Sequence, residues 1–170
     1  MSDDWPAARR ELEEAVGIAE RLGNRKILAQ AGMNYGVLLI YIGEYAAVQR
    51  QLAVALDAAR RTDQLFGVVL TLQSLADAAI RLEEWNEAGR YVEEAQNLAR
   101  ELQLVVQMPR ILQLRASIAL GMEDNATALL LADESILMAH AHEDDLAAGT
   151  GERLRGQALA GLGRWPEAED

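Results

Sequence analysis

The chain has 170 residues, of which 51% are hydrophobic and 5% aromatic, and its formal net charge is −11. This length allows one domain with a sizeable core, and the low aromatic content favours closely packed helices over a sandwich or a barrel. The absence of cysteine excludes disulfides and thiolate metal sites. The strong negative charge disfavours direct binding of nucleic acid by this segment.

Neither a secretory signal nor a membrane span is predicted. Met1-Ser2-Asp3-Asp4 lacks a basic region followed by an apolar run, and apolar stretches such as 36–42 are too short to cross a bilayer. We therefore expect a cytoplasmic protein without membrane association. Lys26 is the only lysine among 16 basic residues, a bias typical of a GC-rich bacterial genome.

A 40-residue repeat runs through the chain without an insertion. Its clearest marker is a mainly aromatic column formed by Trp5, Tyr45, Trp85, Asn125 and Trp165. Columns of small residues accompany it, including Ala15, Ala55, Ala95 and Ser135, then Ala19, Ala59, Ala99 and Ala139, and finally Gly36, Ala76, Ala116 and Gly156. Such periods are typical of solenoids, in which each repeat buries its apolar face against its neighbours. The tryptophans are expected to pack at the repeat junctions rather than to stack on a ligand.

Each period is predicted to contain two helices, because apolar residues recur at three- and four-residue steps between turn signals. The first helices are expected at 6–22, 45–62, 85–102 and 125–142, and the second at 25–42, 65–82, 108–122 and 146–162. Residues 104–107 are expected to form a linker before Pro109, which fits only near a helix start. Short turns require antiparallel packing, so the predicted fold is all-α, with about eight helices in antiparallel pairs.

The repeats are expected to form a single solenoid domain over 1–170. Its repeat frame is 5–44, 45–84, 85–124 and 125–164, with a partial repeat at 165–170. Neither end shows a polar capping helix, which we interpret as the mark of a fragment of a longer protein. The alternative is a whole protein that closes its ends by self-association.

The pattern resembles tetratricopeptide (TPR) repeats in a long, 40-residue variety. The resemblance rests on the junctions Gly43-Glu44-Tyr45 and Gly163-Arg164-Trp165, and on the large–small pairs Tyr35-Gly36 and Leu75-Ala76. The fourth repeat departs most from the pattern, with Asn125, Ala132, Glu152 and Arg155 at unusual positions, and Arg115 also stands in a usually apolar column. The resemblance implies a TPR-like, right-handed α-α superhelix. It also implies a role like that of the arms of bacterial transcriptional activators and signalling ATPases, which bind a peptide, a partner protein or a small inducer.

In this family the second helix of each pair lines a concave groove, and the resemblance therefore implies a set of binding residues. They are Gln30, Met33, Val37, Tyr41, Gln73, Asp77, Arg81, Arg110, Gln113, Ser117, Arg153 and Gln157. The four glutamines are interpreted as a ladder of amides that could bond a peptide backbone. We expect an extended peptide, or a segment with a carboxylate, held by Arg81, Arg110 and Arg153. The alternative is that these arginines are solvated or paired within the chain.

The first functional hypothesis is a protein- or peptide-binding scaffold, the repeat arm of a larger bacterial protein of signalling or transcription regulation. One alternative is a sensor arm for a small inducer, which should enclose a pocket with convergent polar groups. Another is a structural solenoid that associates with itself through its ends.

No residue set resembles a catalytic centre, so no enzyme activity, cofactor or metal is expected. His140 and His142 lie two residues apart on a predicted helix and point to different faces. Acid pairs such as Glu93-Glu94 are interpreted as solvated faces. Gly149-Thr150-Gly151 lacks the strand and the lysine of a phosphate-binding loop.

Overall fold

The computed structural model describes residues 5–164, apart from the side chain of Ala46, and the regular structure of this part of the chain is entirely helical. Eight α-helices follow one another, and a short 3-10 helix at Val105–Gln107 precedes the sixth. They are α1 (Trp5–Arg21), α2 (Arg25–Tyr41), α3 (Tyr45–Arg60), α4 (Leu65–Arg81), α5 (Trp85–Glu101), α6 (Met108–Gly121), α7 (Asn125–Ala141) and α8 (Asp145–Gly161). The predicted all-α fold is confirmed, and the predicted helix ends agree with these bounds to within two residues.

The helices form two compact units, one reaching to Leu82 and the other starting at Glu83. In the first unit α2 packs against α1, α3 and α4, and α3 also packs against α4. In the second unit α6 packs against α5, α7 and α8, and α7 also packs against α8. Because most turns between successive helices are only three or four residues long, consecutive helices within each unit run antiparallel. Each unit therefore contains two of the predicted helix pairs.

The turns repeat every 20 residues, which is half of the predicted period. Each has one residue with positive φ: Gly23, Gly43, Asp63, Glu83, Gln103, Glu123, Glu143 and Gly163. In all of these turns except the one at Glu83, the structure shows the following residue donating its N–H to a carbonyl five residues earlier, as from Asn24 N to Ala19 O and from Asp124 N to Ala119 O, both at 2.9 Å. This is the Schellman motif, which closes the C-terminal end of a helix. The same backbone turn is thus used whether the left-handed residue is glycine or not.

The predicted columns of small residues lie at the helix contacts. Ala55, Ala95 and Ser135 are fully buried, and Ala59 and Ala139 are buried in the same way. Close approach explains the demand for small side chains, because a larger one would separate the helices.

Gly36 shows how tight this packing is in the first unit. A Cβ atom added to Gly36 would lie 2.2 Å from Cδ2 of Leu52, well inside van der Waals contact. The α2–α3 contact therefore depends on the missing side chain, which agrees with the small-residue column predicted there.

The residue that begins each first helix contacts the residue 36 positions later, which ends the second helix of the same pair. In the first pair the ring of Trp5 stacks on that of Tyr41, with centroids 6.3 Å apart and planes 15° apart. In the second pair the guanidinium carbon of Arg81 lies 5.8 Å from the centroid of the Tyr45 ring. These contacts lie inside single repeats of the predicted frame, whereas the tryptophans were predicted to pack at the junctions between repeats.

Glycine takes the partner position in the second unit. A Cβ atom on Gly121 would lie 2.3 Å from Cη2 of Trp85, and one on Gly161 would lie 2.4 Å from Cγ of Asn125. The fourth repeat has therefore kept the small partner residue although Asn125 has replaced the aromatic ring. Trp165, the last member of the column, lies outside the described residues.

Candidate functional site

The predicted groove residues lie on α2 and α4 in the first unit and on α6 and α8 in the second. Most of them reach solvent. Gln30, Tyr41, Arg81, Arg153 and Gln157 are exposed, Met33, Val37, Asp77, Arg110 and Ser117 are half-buried, and Gln73 and Gln113 are buried. Because α2 lies against α4 and α6 lies against α8, each unit carries its own part of the predicted surface.

Gln113 belongs to the packing of the second unit rather than to its surface. Only 3% of it is exposed, and its Nε2 donates to Ser135 Oγ at 3.1 Å and to the main-chain oxygen of Ala147 at 2.8 Å. Ser135 Oγ donates in turn to the main-chain oxygen of Pro109 at 3.2 Å. This network ties α6 to α7 and α8. The prediction of Gln113 as a surface amide is therefore wrong, because both of its donor contacts are made inside the unit.

Gln73 is also buried, with 6% of it exposed within α4, so it too is missing from the predicted row of surface amides. Gln30 and Gln157 keep exposed side chains, one in each unit. In the 40-residue frame Gln73 and Gln113 share one repeat position, and both are buried, whereas Gln30 and Gln157 stand at two other positions. The repeat position therefore separates the covered amides from the exposed ones.

The three arginines of the predicted surface differ in their surroundings. Arg81 Nε lies 3.6 Å from Asp77 Oδ1, so the alternative of pairing within the chain applies to it in part. Arg110 is half-buried on α6. Arg153 is exposed, and its NH1 donates to the neutral amide of Gln157 at 3.3 Å. Among residues 5–164, Arg153 meets no carboxylate, which leaves its charge available to a ligand.

Tyr41 is the most accessible aromatic residue of the predicted surface. It is 75% exposed at the end of α2, and the stacked ring of Trp5 supports it from one side. A rigid ring with an accessible face and a hydroxyl group is well suited to contact with a partner.

Sequence analysis did not identify a polar cluster that joins α1, α2 and the turn before α3. Tyr35 donates a short hydrogen bond to Glu13, and Arg9 donates to Glu13 at 3.0 Å and to Glu44 at 2.5 Å. The bonds from Tyr35 and Arg9 lower the pKa of the Glu13 carboxyl. Burial, together with the bond to Glu13, raises the pKa of the Tyr35 phenol. The available signal was Tyr35 itself, which stands where the second repeat has Leu75.

The second unit contains an open slot of about 500 Å³ between α5, α6 and α7. Its apolar lining includes Val92, Ile118, Met122 and Leu131, and its polar lining includes Glu93, Gln96, Arg115, Asp124 and Thr127. Asp124 accepts a hydrogen bond from Thr127 N at 3.1 Å, and the bonds from Thr127 lower the pKa of its carboxyl. The slot was not predicted. The sequence signal for it is Arg115, a charged residue in a repeat column that is usually apolar.

Arg115 lacks the carboxylate partner that Arg155 has in the fourth repeat. Arg155, 40 residues later, donates to Asp133 at 3.1 Å. Arg115 and Glu93 occupy the same two repeat positions without forming this pair, and Arg115 NH1 instead donates to Gln96 Oε1 at 3.5 Å. In the described part of the chain Arg115 contacts no carboxylate, so its guanidinium can bind the carboxylate of a ligand.

The described residues contain no group of three or more histidine, cysteine, aspartate or glutamate side chains placed to hold a metal ion. His140 and His142 are both exposed, at the end of α7 and just after it. Between Trp5 and Arg164 no helix has the length and apolar character needed to cross a membrane.

The fold defines the class of the chain as an all-α protein built from repeated helix pairs. A scan against protein-family models finds no match, and a search of curated proteins finds no relative. The resemblance to tetratricopeptide repeats therefore rests on the repeat residues themselves.

Proposed function

We propose that the chain is a protein- or peptide-binding scaffold whose second helices form the binding surface. In this proposal it is a TPR-like arm of a larger bacterial regulatory or signalling protein of the cytoplasm. The observation that carries the proposal is accessibility. Of the twelve surface positions named from the sequence, all but Gln73 and Gln113 are exposed or half-buried.

The charge of this surface supports a partner with carboxylates. Its part in the first unit carries Arg81 and the acid Asp77, and its part in the second unit carries Arg110 and Arg153, in a chain whose net charge is −11. Local cations in an acidic protein attract acidic segments and orient them, even where each contact is weak. Tyr41 adds an exposed apolar contact that could anchor a partner side chain.

A titration with labelled peptides tests this function. Short extended peptides with glutamates are compared with matched peptides that carry glutamines, using fluorescence anisotropy. We expect the glutamate peptides to bind more tightly, and the variant with Arg81→Ala and Arg153→Ala to weaken them roughly tenfold, since charge-assisted hydrogen bonds are lost. Added salt should reduce the difference.

The matched control removes the same charge from the first helices. Arg61 and Arg90 are exposed and paired with Asp57 and Glu87. Replacing both by alanine should leave peptide binding unchanged. Equal losses in the two double variants would contradict a specific surface on the second helices.

The slot in the second unit favours a small-molecule sensor as the second candidate function. Its volume of about 500 Å³ lies within the range of roughly 300–1,000 Å³ that is common for ligand sites. Arg115 provides a cation beside an apolar lining, which suits a ligand with a carboxylate and an apolar body.

Octanoate and octylammonium serve as probes of opposite charge, with binding measured by calorimetry. The variant Arg115→Leu carries the residue that the second repeat has at Leu75, so the helix should accept it. We expect octanoate binding to be lost in this variant and octylammonium to bind weakly to both proteins. If Arg115→Leu binds octanoate as well as the wild type, the sensor function of the slot is wrong.

A further inference from the structure

The outward side of α7 is apolar, although it faces solvent. Leu130 and Leu137 are each 71% exposed, and Ala126 and Ala141 are exposed as well. With about 100° of rotation per helical residue, these four side chains share an arc of about 60°. They define what we call the α7 stripe. Scattered exposed leucines are normal on protein surfaces, but a stripe of this kind marks a contact site more often.

The other first helices show that the repeat does not require apolar residues there. The position of Leu130 is taken by Arg10, Arg50 and Arg90 in the other repeats, and that of Leu137 by Gly17, Asp57 and Asn97. The position of Ala141 is taken by Arg21, Arg61 and Glu101. These equivalents belong to helices of the same frame that fold with polar or small residues in this arc. The leucines of α7 therefore serve something other than the fold.

Acidic residues lie on both sides of the α7 stripe. Asp133 borders one side and accepts from Arg155 Nε at 3.1 Å. Glu134 borders the other side, is exposed, and has no ion-pair partner in the described ranges. The turn after α7 adds Glu143, Asp144 and Asp145. An apolar stripe with unpaired acid beside it complements a partner that carries apolar and basic side chains together.

A second copy of the chain fits this surface poorly. If two α7 helices packed antiparallel about a two-fold axis, Leu130 of one copy would face Leu137 of the other. The axis would then pass close to Glu134 and its equivalent, so two carboxylates would meet where the helices are closest. Like charges at such a contact oppose association.

We propose that the α7 stripe docks an amphipathic helix of a partner protein, with leucine-like side chains on one face and lysine or arginine beside them. Such helices bind by laying an apolar face along a surface, with anchors at i, i+3, i+4 and i+7. The spacing of Leu130 and Leu137, two helical turns apart, offers the matching contacts. This surface lies on a first helix and is therefore distinct from the second-helix surface of the proposed function.

Three synthetic helical peptides test the proposal on the full chain. The first has leucines on one face flanked by lysines, the second has the same leucines flanked by glutamates, and the third has the composition of the first with the leucines spread around the helix. Binding is measured by fluorescence anisotropy. We expect the first peptide to bind at least roughly tenfold more tightly than the other two.

Two pairs of substitutions then locate the site. Leu130→Gln with Leu137→Asn removes the leucines without changing the charge, and the polar equivalents in other repeats show that α7 should still fold. Phe66→Gln with Val106→Thr removes two exposed apolar residues elsewhere. The first pair should weaken the lysine-flanked peptide roughly tenfold, and the second pair should have no effect. Glu134→Gln should weaken the same peptide severalfold.

Three results would overturn the proposal: unchanged binding in the Leu130 and Leu137 variant, equal binding of the peptide with scattered leucines, or equal binding of the glutamate-flanked peptide. Circular dichroism of each variant checks that the helices are intact. Sedimentation of the wild type at neutral pH tests whether a second copy of the chain binds the α7 stripe instead. A dimer that the Leu130 and Leu137 variant loses would assign the stripe to a second copy and contradict a basic partner.

Discussion

Gly121 makes room for the ring of Trp85 at the end of α6. A Cβ atom at this position would lie 2.3 Å from Cη2 of that ring, so the indole would have to move. Overpacking of this kind usually costs about 1–3 kcal/mol. We therefore expect Gly121→Ala to lower the free energy of unfolding by that amount, measured by urea denaturation with far-UV circular dichroism.

Gly149 in α8 provides the matched control, because a Cβ atom added there meets nothing within 4 Å. Alanine is the better helix former by about 0.5–1 kcal/mol, so Gly149→Ala should be neutral or stabilising. If both substitutions stabilise the protein, helix propensity and not the contact with Trp85 decides stability at these sites.

Glu13 should make the stability of the first unit depend on acid. Its hydrogen bonds with Tyr35 and Arg9 lower the carboxyl pKa below the usual value of 4.5. A lowered pKa in the folded state contributes stability that is fully present above the unfolded pKa and is lost as the pH falls through the folded one. Because the side chains of Arg9 and Glu13 are half-exposed, solvent screens their ion pair, and Glu13→Gln should cost less than about 1 kcal/mol at neutral pH.

The pH profile distinguishes this effect from a general loss of charge. The difference between wild type and Glu13→Gln in thermal melting should shrink as the pH falls below 4.5. Glu14→Gln, an exposed neighbour on the same helix, should match the wild type throughout. A constant difference for Glu13→Gln across the acid range would contradict the depressed pKa.

At the scale of helices and turns, the residue with positive φ in each turn allows a prediction about stability. Glu123 has φ of 62° in the turn between α6 and α7, whereas Gly43 has φ of 79° in the equivalent turn between α2 and α3. Glycine adopts this conformation without the steric penalty that a Cβ atom brings. We expect Glu123→Gly to raise the free energy of unfolding by about 0.5–1 kcal/mol, measured by urea denaturation.

The reciprocal substitution is the control for that turn. Gly43→Ala places a side chain at positive φ, with nothing within 4 Å that it could strike. A loss of about 1 kcal/mol would then come from the backbone alone. If Glu123→Gly is destabilising instead, the greater freedom of glycine in the unfolded chain outweighs the relief of strain.

The helices could be predicted because the signals that define them are local. Apolar residues recur with the helical period, and each interruption falls at a turn. The turn conformations at Asp63, Glu83, Gln103 and Glu143 could not be predicted in the same way. None of these residue types demands positive φ, and only their 20-residue spacing from Gly23 places them with the glycines.

The candidate site was less predictable because it depends on which side chains meet across helices. The predicted surface included both Gln113 and Gln157, which stand four residues apart in the repeat frame, yet one is buried against Ser135 and the other is exposed. Equally, Arg115 and Arg155 share a column, and only Arg155 finds its carboxylate. Such contacts depend on the particular side chains that meet across two helices, and the repeat pattern alone does not determine them.

At the scale of the whole molecule, charge and exposed apolar surface have opposite effects on the association of copies of the chain. A net charge of −11 at neutral pH keeps copies apart, while the α7 stripe offers them an apolar contact. Acid removes the first effect without altering the second, since the isoelectric point is about 4.6. Association should therefore increase as the pH approaches that value.

We expect light scattering to rise near pH 4.6, and to rise less for Leu130→Gln with Leu137→Asn, because that pair shortens the apolar contact without changing the charge. Phe66→Gln with Val106→Thr, which removes as many exposed apolar side chains elsewhere, should scatter like the wild type. Equal scattering by both variants would mean that loss of charge alone drives association, and that the α7 stripe attracts other copies no more than the rest of the surface does.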